Sequence, residues 1–215
     1  QEFLVISEIM YHPAANPDEE FLELMNISDT ETLDLEGVSF TDGIDFVFPS
    51  GFSLAPGARV VIPFAAFANA SRLNNAGETL KLEGPDGETI REFRYDDEGP
   101  WPVAADGFGA SLVLRHPESN PDHAHPGNWR PSANSGGSPG GDDRVFFTSD
   151  PNEDLDGDGL TALIEHALGT SEQTPDPAQV MMSRSGDHLI LEFKRNLGAE
   201  DVSIVIEKSV DLSLW

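Results

Sequence analysis

The stretch Thr79-Leu-Lys-Leu-Glu83, Gly84-Pro-Asp-Gly87, Thr89-Ile-Arg-Glu-Phe93 decides the fold class. Both flanks alternate apolar and polar side chains, the period of two that turns one face of a strand to a core and the other to water. Between them, Pro85 presets φ for the second turn position, and Gly87 accepts a positive φ that other residues resist. The whole reads as an antiparallel hairpin with a type I turn at Pro85-Asp86.

The same pattern recurs outward in both directions. Residues 3–10, 21–26, 38–41, 45–48, 59–62, 89–95 and 111–115 are short runs rich in β-branched, aromatic or Leu residues. Turn formers separate them: Asn16-Pro-Asp18, Thr41-Asp-Gly43, Pro49-Ser-Gly51 and Ala55-Pro-Gly57. Seven or eight short strands with frequent turns predict a mainly β domain, a sandwich or small barrel. Only 64–70 suggests a helical turn there.

Past this region the composition shifts. Asn134-Ser-Gly-Gly-Ser-Pro-Gly-Gly-Asp142 holds four glycines and a proline in nine residues, which predicts loose chain and the end of a first domain. Residues 150–176 then carry eight acids and no Lys or Arg. Leu160, Leu163, Ile164, Ala167 and Leu168 follow helical spacing, predicting one short helix of about nine residues that Gly169 stops. Two alternating runs, 188–195 and 202–208, predict a C-terminal β-hairpin closed by Asn196-Leu-Gly-Ala199. The organisation expected is a sandwich at 1–142, an acidic calcium loop and helix at 143–176, and at 177–215 a hairpin fragment of a further, incomplete β domain.

The acidic stretch contains the most specific chemistry: Asp154-Leu-Asp156-Gly-Asp158-Gly159-Leu160-Thr-Ala-Leu-Ile-Glu165. Ca²⁺ wants six to eight hard oxygens, and this spacing supplies them. Asp154, Asp156 and Asp158 offer carboxylates at alternate positions, and Gly159 permits the sharp bend. The Leu160 carbonyl and a bidentate Glu165 complete the shell. Four carboxylates with no base nearby repel one another unless a cation sits among them; a solvated acidic linker is the alternative. Thr161 replaces the aliphatic residue by which paired loops associate, and no helix is expected over 148–152. Asp150 and Asn152 extend the spacing backwards toward a possible second ion.

Net charge and composition exclude several classes. At −27, the chain repels phosphate backbones and contains no basic patch, so no nucleic-acid partner is expected. Zero cysteines remove disulfides, thiolate metal sites and thiol nucleophiles. The longest apolar stretch, 60–68, is far short of the ~20 residues a membrane helix needs. A chain opening Gln1-Glu-Phe3 is compatible with a leader already removed, hence with export. Gly136-Gly-Ser138-Pro-Gly140 spells a nucleophile elbow, but Pro139 lacks the N–H an oxyanion would need. His116 with Asp122-His-Ala-His125 is a weak metal candidate, more readily a surface loop.

Ordered pieces along the first region resemble a lamin tail domain, an immunoglobulin-like sandwich of nuclear lamins and of many bacterial exported proteins. They are Ile6-Ser-Glu8-Ile-Met-Tyr-His-Pro13, Glu20-Phe-Leu-Glu23-Leu-Met-Asn26, Leu33-Asp-Leu-Glu-Gly37, Phe48-Pro-Ser-Gly51 with Leu54-Ala-Pro-Gly57, Gly77-Glu-Thr-Leu80, Gly109-Ala-Ser-Leu112 and Asn128-Trp129 with Gly136-Gly137. The acidic loop resembles the single loop-plus-helix units of dockerins and of thrombospondin type 3 repeats. The ending Asp211-Leu-Ser-Leu-Trp215 is similar to C-terminal arrangements of large exported bacterial proteins. These resemblances imply a non-catalytic interaction and spacer region of a secreted or cell-surface protein, with a structural Ca²⁺ and a protein or glycan partner. The alternative is a carbohydrate- or matrix-binding module of a larger exported enzyme. That alternative needs an exposed aromatic platform, for which Tyr95, Trp101 and Trp129 are the candidates.

Overall fold

The computed structural model describes residues 2–176 and 180–208, in two compact units that divide between Asp143 and Arg144. The first unit contains β1 (Leu4–Met10), β2 (Phe21–Asn26), β3 (Leu33–Asp34), β4 (Ser39–Asp42), β5 (Phe46–Val47), β6 (Ser53–Leu54), β7 (Arg59–Pro63), β8 (Thr79–Glu83), β9 (Thr89–Arg94), β10 (Leu112–Leu114) and β11 (Trp129–Pro131). Five strands make one antiparallel sheet in the order β11-β10-β1-β2-β7, and four make the other, β5-β4-β8-β9. The hairpin around Pro85-Asp86 is β8–β9, and Gly87, at φ +81°, donates its N–H back to the Gly84 carbonyl.

Alternation explains the core of this immunoglobulin-like sandwich. Leu80 and Leu82 of β8 are buried while Thr79, Lys81 and Glu83 are only half so. Leu22 and Leu24 from the other sheet join the same apolar cluster, with Ile62, Phe93 and Leu112. Strand β1 departs from this pattern, because all seven of its residues are buried. It lies in the middle of its sheet, so something other than the core covers its second face. Asn26 ties the neighbouring loops together: its side-chain amide donates to the carbonyls of Glu31, Leu54 and Ala55.

Three strands of this unit escape the sequence patterns. β3 and β6 are two residues each and, among the described strands, pair only with one another. β11 contains Pro131, which sequence reasoning demotes. The predicted helical turn at 64–70 is a 3₁₀ turn at Phe64–Ala66.

The second unit holds α1 (Ala162–Leu168), β12 (Val180–Ser185) and β13 (His188–Phe193). Gly169 ends α1 in the left-handed conformation, φ +75°, with its N–H on the Glu165 carbonyl. A C-terminal hairpin is present, but its strands are β12 and β13. Residues 202–208, expected as its second strand, form no strand. The pairing follows from the tight Gly186-Asp187 connection, with Ser185 opposite His188. One hairpin face, with Val180, Leu191 and Phe193, lines an open apolar groove together with Leu163 and Ile164 of α1. Residues 209–215, including the Trp215 ending, lie outside the described residues. Among those described, no helix is long and apolar enough to cross a membrane.

Candidate metal centre

The acidic loop is wound by its own aspartates. Asp154 accepts the backbone N–H groups of Gly157 (2.8 Å) and Gly159 (3.1 Å). Asp156 accepts that of Asp158 (3.1 Å), and Asp158 that of Leu160 (2.8 Å). Each bond bends the chain back on itself, and Gly159 absorbs the sharpest bend at φ +96°. In consequence one carboxylate oxygen from each of Asp154, Asp156 and Asp158 lies within 4.8 Å of the others. Oxygens on opposite sides of one Ca²⁺ stand about 5 Å apart, so this span suits a shared ion.

Glu165 arrives from α1 and is fully buried. Burial, then the charges of Asp156, Asp158, Glu172 and Asp154, push its carboxyl above the ordinary glutamate range. Its Oε1 faces the Thr170 hydroxyl at 3.5 Å. Its Oε2, like Asp156 Oδ2, is buried and accepts no hydrogen bond among the described residues. Two buried carboxylate oxygens without a donor are costly in the absence of a cation. Leu160 is half-buried at the point where the loop meets the helix. The three aspartates are thus brought together, and Glu165 lies within reach of their charge. Asp150 instead accepts the Asn152 N–H, closing a turn of its own.

A contact outside the motif also meets this loop. The second oxygen of Asp158 accepts the backbone N–H of Asp176 at 3.0 Å, and Asp176 in turn accepts the N–H of Ser171. Nothing in the local spacing signals it, because eighteen residues separate the partners.

The remaining candidates occupy structural positions in the first unit. His123 is not on a surface loop but in the core, where its ring lies against Phe93 and Trp129. Nε2 accepts the Ile6 N–H and Nδ1 faces the Pro121 carbonyl, so both ring nitrogens are engaged. His125 accepts the Gly127 N–H and caps a 3₁₀ turn. Tyr95, Trp101 and Trp129 are at most 8% exposed, so none of them forms an aromatic platform. Among the described residues, the large aromatics that do stand in solvent are Phe108, on a loop of the first unit, and Phe146 in the second.

Ser138 and its glycines prove to be fastened rather than loose. Ser138 donates its N–H (2.9 Å) and its hydroxyl to Glu8, and Gly140 donates its N–H to Glu23 (2.7 Å). Glu8 and Glu23 face each other in register on β1 and β2, and both are buried. Sequence reasoning missed this pair; the available signal was an acid inside an otherwise apolar strand run.

Comparison with known proteins bears on the first unit. No curated protein and no solved structure gives a significant match to the chain. Residues 2–97, from β1 through β9, match the family model described as Lamin Tail Domain, and this stretch is similar to that family.

Proposed function

We propose that the chain is a non-catalytic interaction and spacer region of a secreted or cell-surface protein, with a structural Ca²⁺ in its second unit. One observation carries the calcium reading: three aspartate oxygens within 4.8 Å of one another, beside two buried carboxylate oxygens that lack donors among the described residues. Asp154, Asp156 and Asp158 would each give an oxygen, with the Leu160 carbonyl and Glu165 completing the set. The ion's two positive charges would offset the mutual repulsion of these carboxylates and hold the loop against α1. The similarity of residues 2–97 to lamin tail domains supports an interaction module, with a protein or glycan at a cell surface as partner. Pro139, which has no N–H to offer an oxyanion beside Ser138, supports the non-catalytic reading.

Calcium titration by calorimetry tests the site, using protein stripped with chelator. Binding of one ion is expected, with Kd on the order of 10⁻⁵ to 10⁻³ M, because an unpaired loop is less preorganised than a paired one. Asp154→Ala should abolish it. No heat up to millimolar calcium would leave the stretch a solvated acidic linker.

A further inference from the structure

Residues 134–143 lie across the face of the five-stranded sheet that turns away from the core. Three fastenings hold them there. Glu8 on β1 accepts the Ser138 N–H and hydroxyl, and also the hydroxyl of Ser111, just before β10. Glu23 on β2 accepts the Gly140 N–H, while its other oxygen takes the Ser7 hydroxyl (2.6 Å) and Arg59 of β7 (2.7 Å). At the end of the segment, Asp143 binds Arg130 of β11 and the Ala133 N–H. Gly137 has no room for a side chain: a Cβ there would run into Glu8 Oε1 and stand 3.0 Å from the Ser111 hydroxyl and 3.1 Å from the Phe21 ring. This covering is why β1 is buried on both faces.

The charges under the segment are unbalanced. Glu23 has Arg59 beside it, and Asp143 has Arg130. Glu8 has hydroxyls and an amide but no cation among its described partners, and it faces the charges of Glu23 and Asp143. Asp142, 3.9 Å from Arg59, adds a further negative charge at the rim.

We propose that residues 134–143 are a proton-controlled strap, held down when Glu8 is protonated and released when Glu8 ionises beside Glu23. A protonated Glu8 satisfies every contact, accepting from Ser111 and from the Ser138 amide with one oxygen and meeting the Ser138 hydroxyl with the other. An ionised Glu8 seeks water, and it gains water only when the strap lifts. Burial, more than any charge, sets the threshold, pushing the Glu8 carboxyl up to about 7 from 4.5. The strap ends where the second unit begins, so its release adds ten residues of untethered chain, up to about 30 Å of reach. No group in the strap belongs to the acidic loop, so the device stands or falls independently of calcium there.

Amide hydrogen exchange on the full chain tests this, read at Ser138 and Gly140 as protection factors relative to amides of β8. The covered state holds its proton up to about pH 7, whereas a lifted, hydrated Glu8 loses it near 4.5. Opening is therefore favoured by up to about tenfold per pH unit between those limits, and no further above pH 7. Protection in the unmodified chain should fall accordingly and then level off. Glu8→Gln, which copies the protonated form, should keep the strap protected at all these pH values. Gly137→Ala should remove protection throughout. Protection of the unmodified chain that is flat from pH 4.5 to 8, or an equal slope in Glu8→Gln, would overturn the proposal. The first of these outcomes needs no variant to fold.

Discussion

His123 is kept neutral by its surroundings: burial above all, and then the Arg91 guanidinium, hold its pKa down at about 4 against 6.5 in water. A group with a depressed cationic pKa binds fewer protons folded than unfolded, so its share of stability is whole above pH 6.5. That share is lost as the pH falls toward 4, about 3 kcal/mol in all. Glu8 has the opposite sign. Its raised pKa means that its share is whole below 4.5 and lost as the pH rises through 7. The two slopes oppose each other between 4.5 and 6.5. Removing one should expose the other: Glu8→Gln should lose stability on acidification more steeply than the parent, by up to about 1.4 kcal/mol per pH unit. Denaturant midpoints at four pH values would show it, and parallel curves would refute it. Tyr11 and Tyr95 give a second pair, both fully buried with ring centroids 5.0 Å apart. The Tyr95 hydroxyl donates to the Asn74 carbonyl and lies 3.1 Å from Glu78, whereas the Tyr11 hydroxyl has no partner among the described residues. Tyr95→Phe should cost about 1–2 kcal/mol and Tyr11→Phe close to nothing, as thermal melts of both would reveal.

At the scale of elements, legibility followed the distance over which each signal acts. Strand β8 could be read from alternation alone, at its observed bounds, because its burial pattern is written residue by residue. Strand β12 was not legible: Met181, Met182, Ser183 and Arg184 have no β enrichment, and its pairing is imposed by the Gly186-Asp187 turn. The aspartates of the acidic loop were legible as a group because they are nearly contiguous. The strap was misjudged for the opposite reason. Its glycines read as loose chain, and the acids that fasten it lie 117 and 130 residues away. Helix α1 is only seven residues, too short to persist on its own, and Glu165 sits in its first turn. With calcium bound, protease cleavage between residues 144 and 176 should slow, and Glu165→Gln should abolish that protection. Equal cleavage with calcium and with chelator would count against an ion-ordered helix.

For the whole molecule, the first unit should fold alone when the chain ends at residue 143, with less than about a quarter helix by far-UV circular dichroism. Ending it at residue 133 should lower its melting temperature by several degrees, because Glu8, Glu23 and Arg130 then lose buried partners. Equal melting of the two lengths would show that residues 134–143 contribute nothing to the sandwich. The position of β1 has a further consequence, for the order of events during synthesis. The first strand made is the middle strand of its sheet. Its partner β2 begins at Phe21, but its other neighbour, β10, begins only at Leu112. The growing domain therefore carries an open sheet edge until Leu112 has been made. Such non-local closure is slow, on the order of milliseconds to seconds. Until then the emerging domain holds only nearer pairings, such as β1–β2 and β8–β9, and its five-stranded sheet stays unclosed.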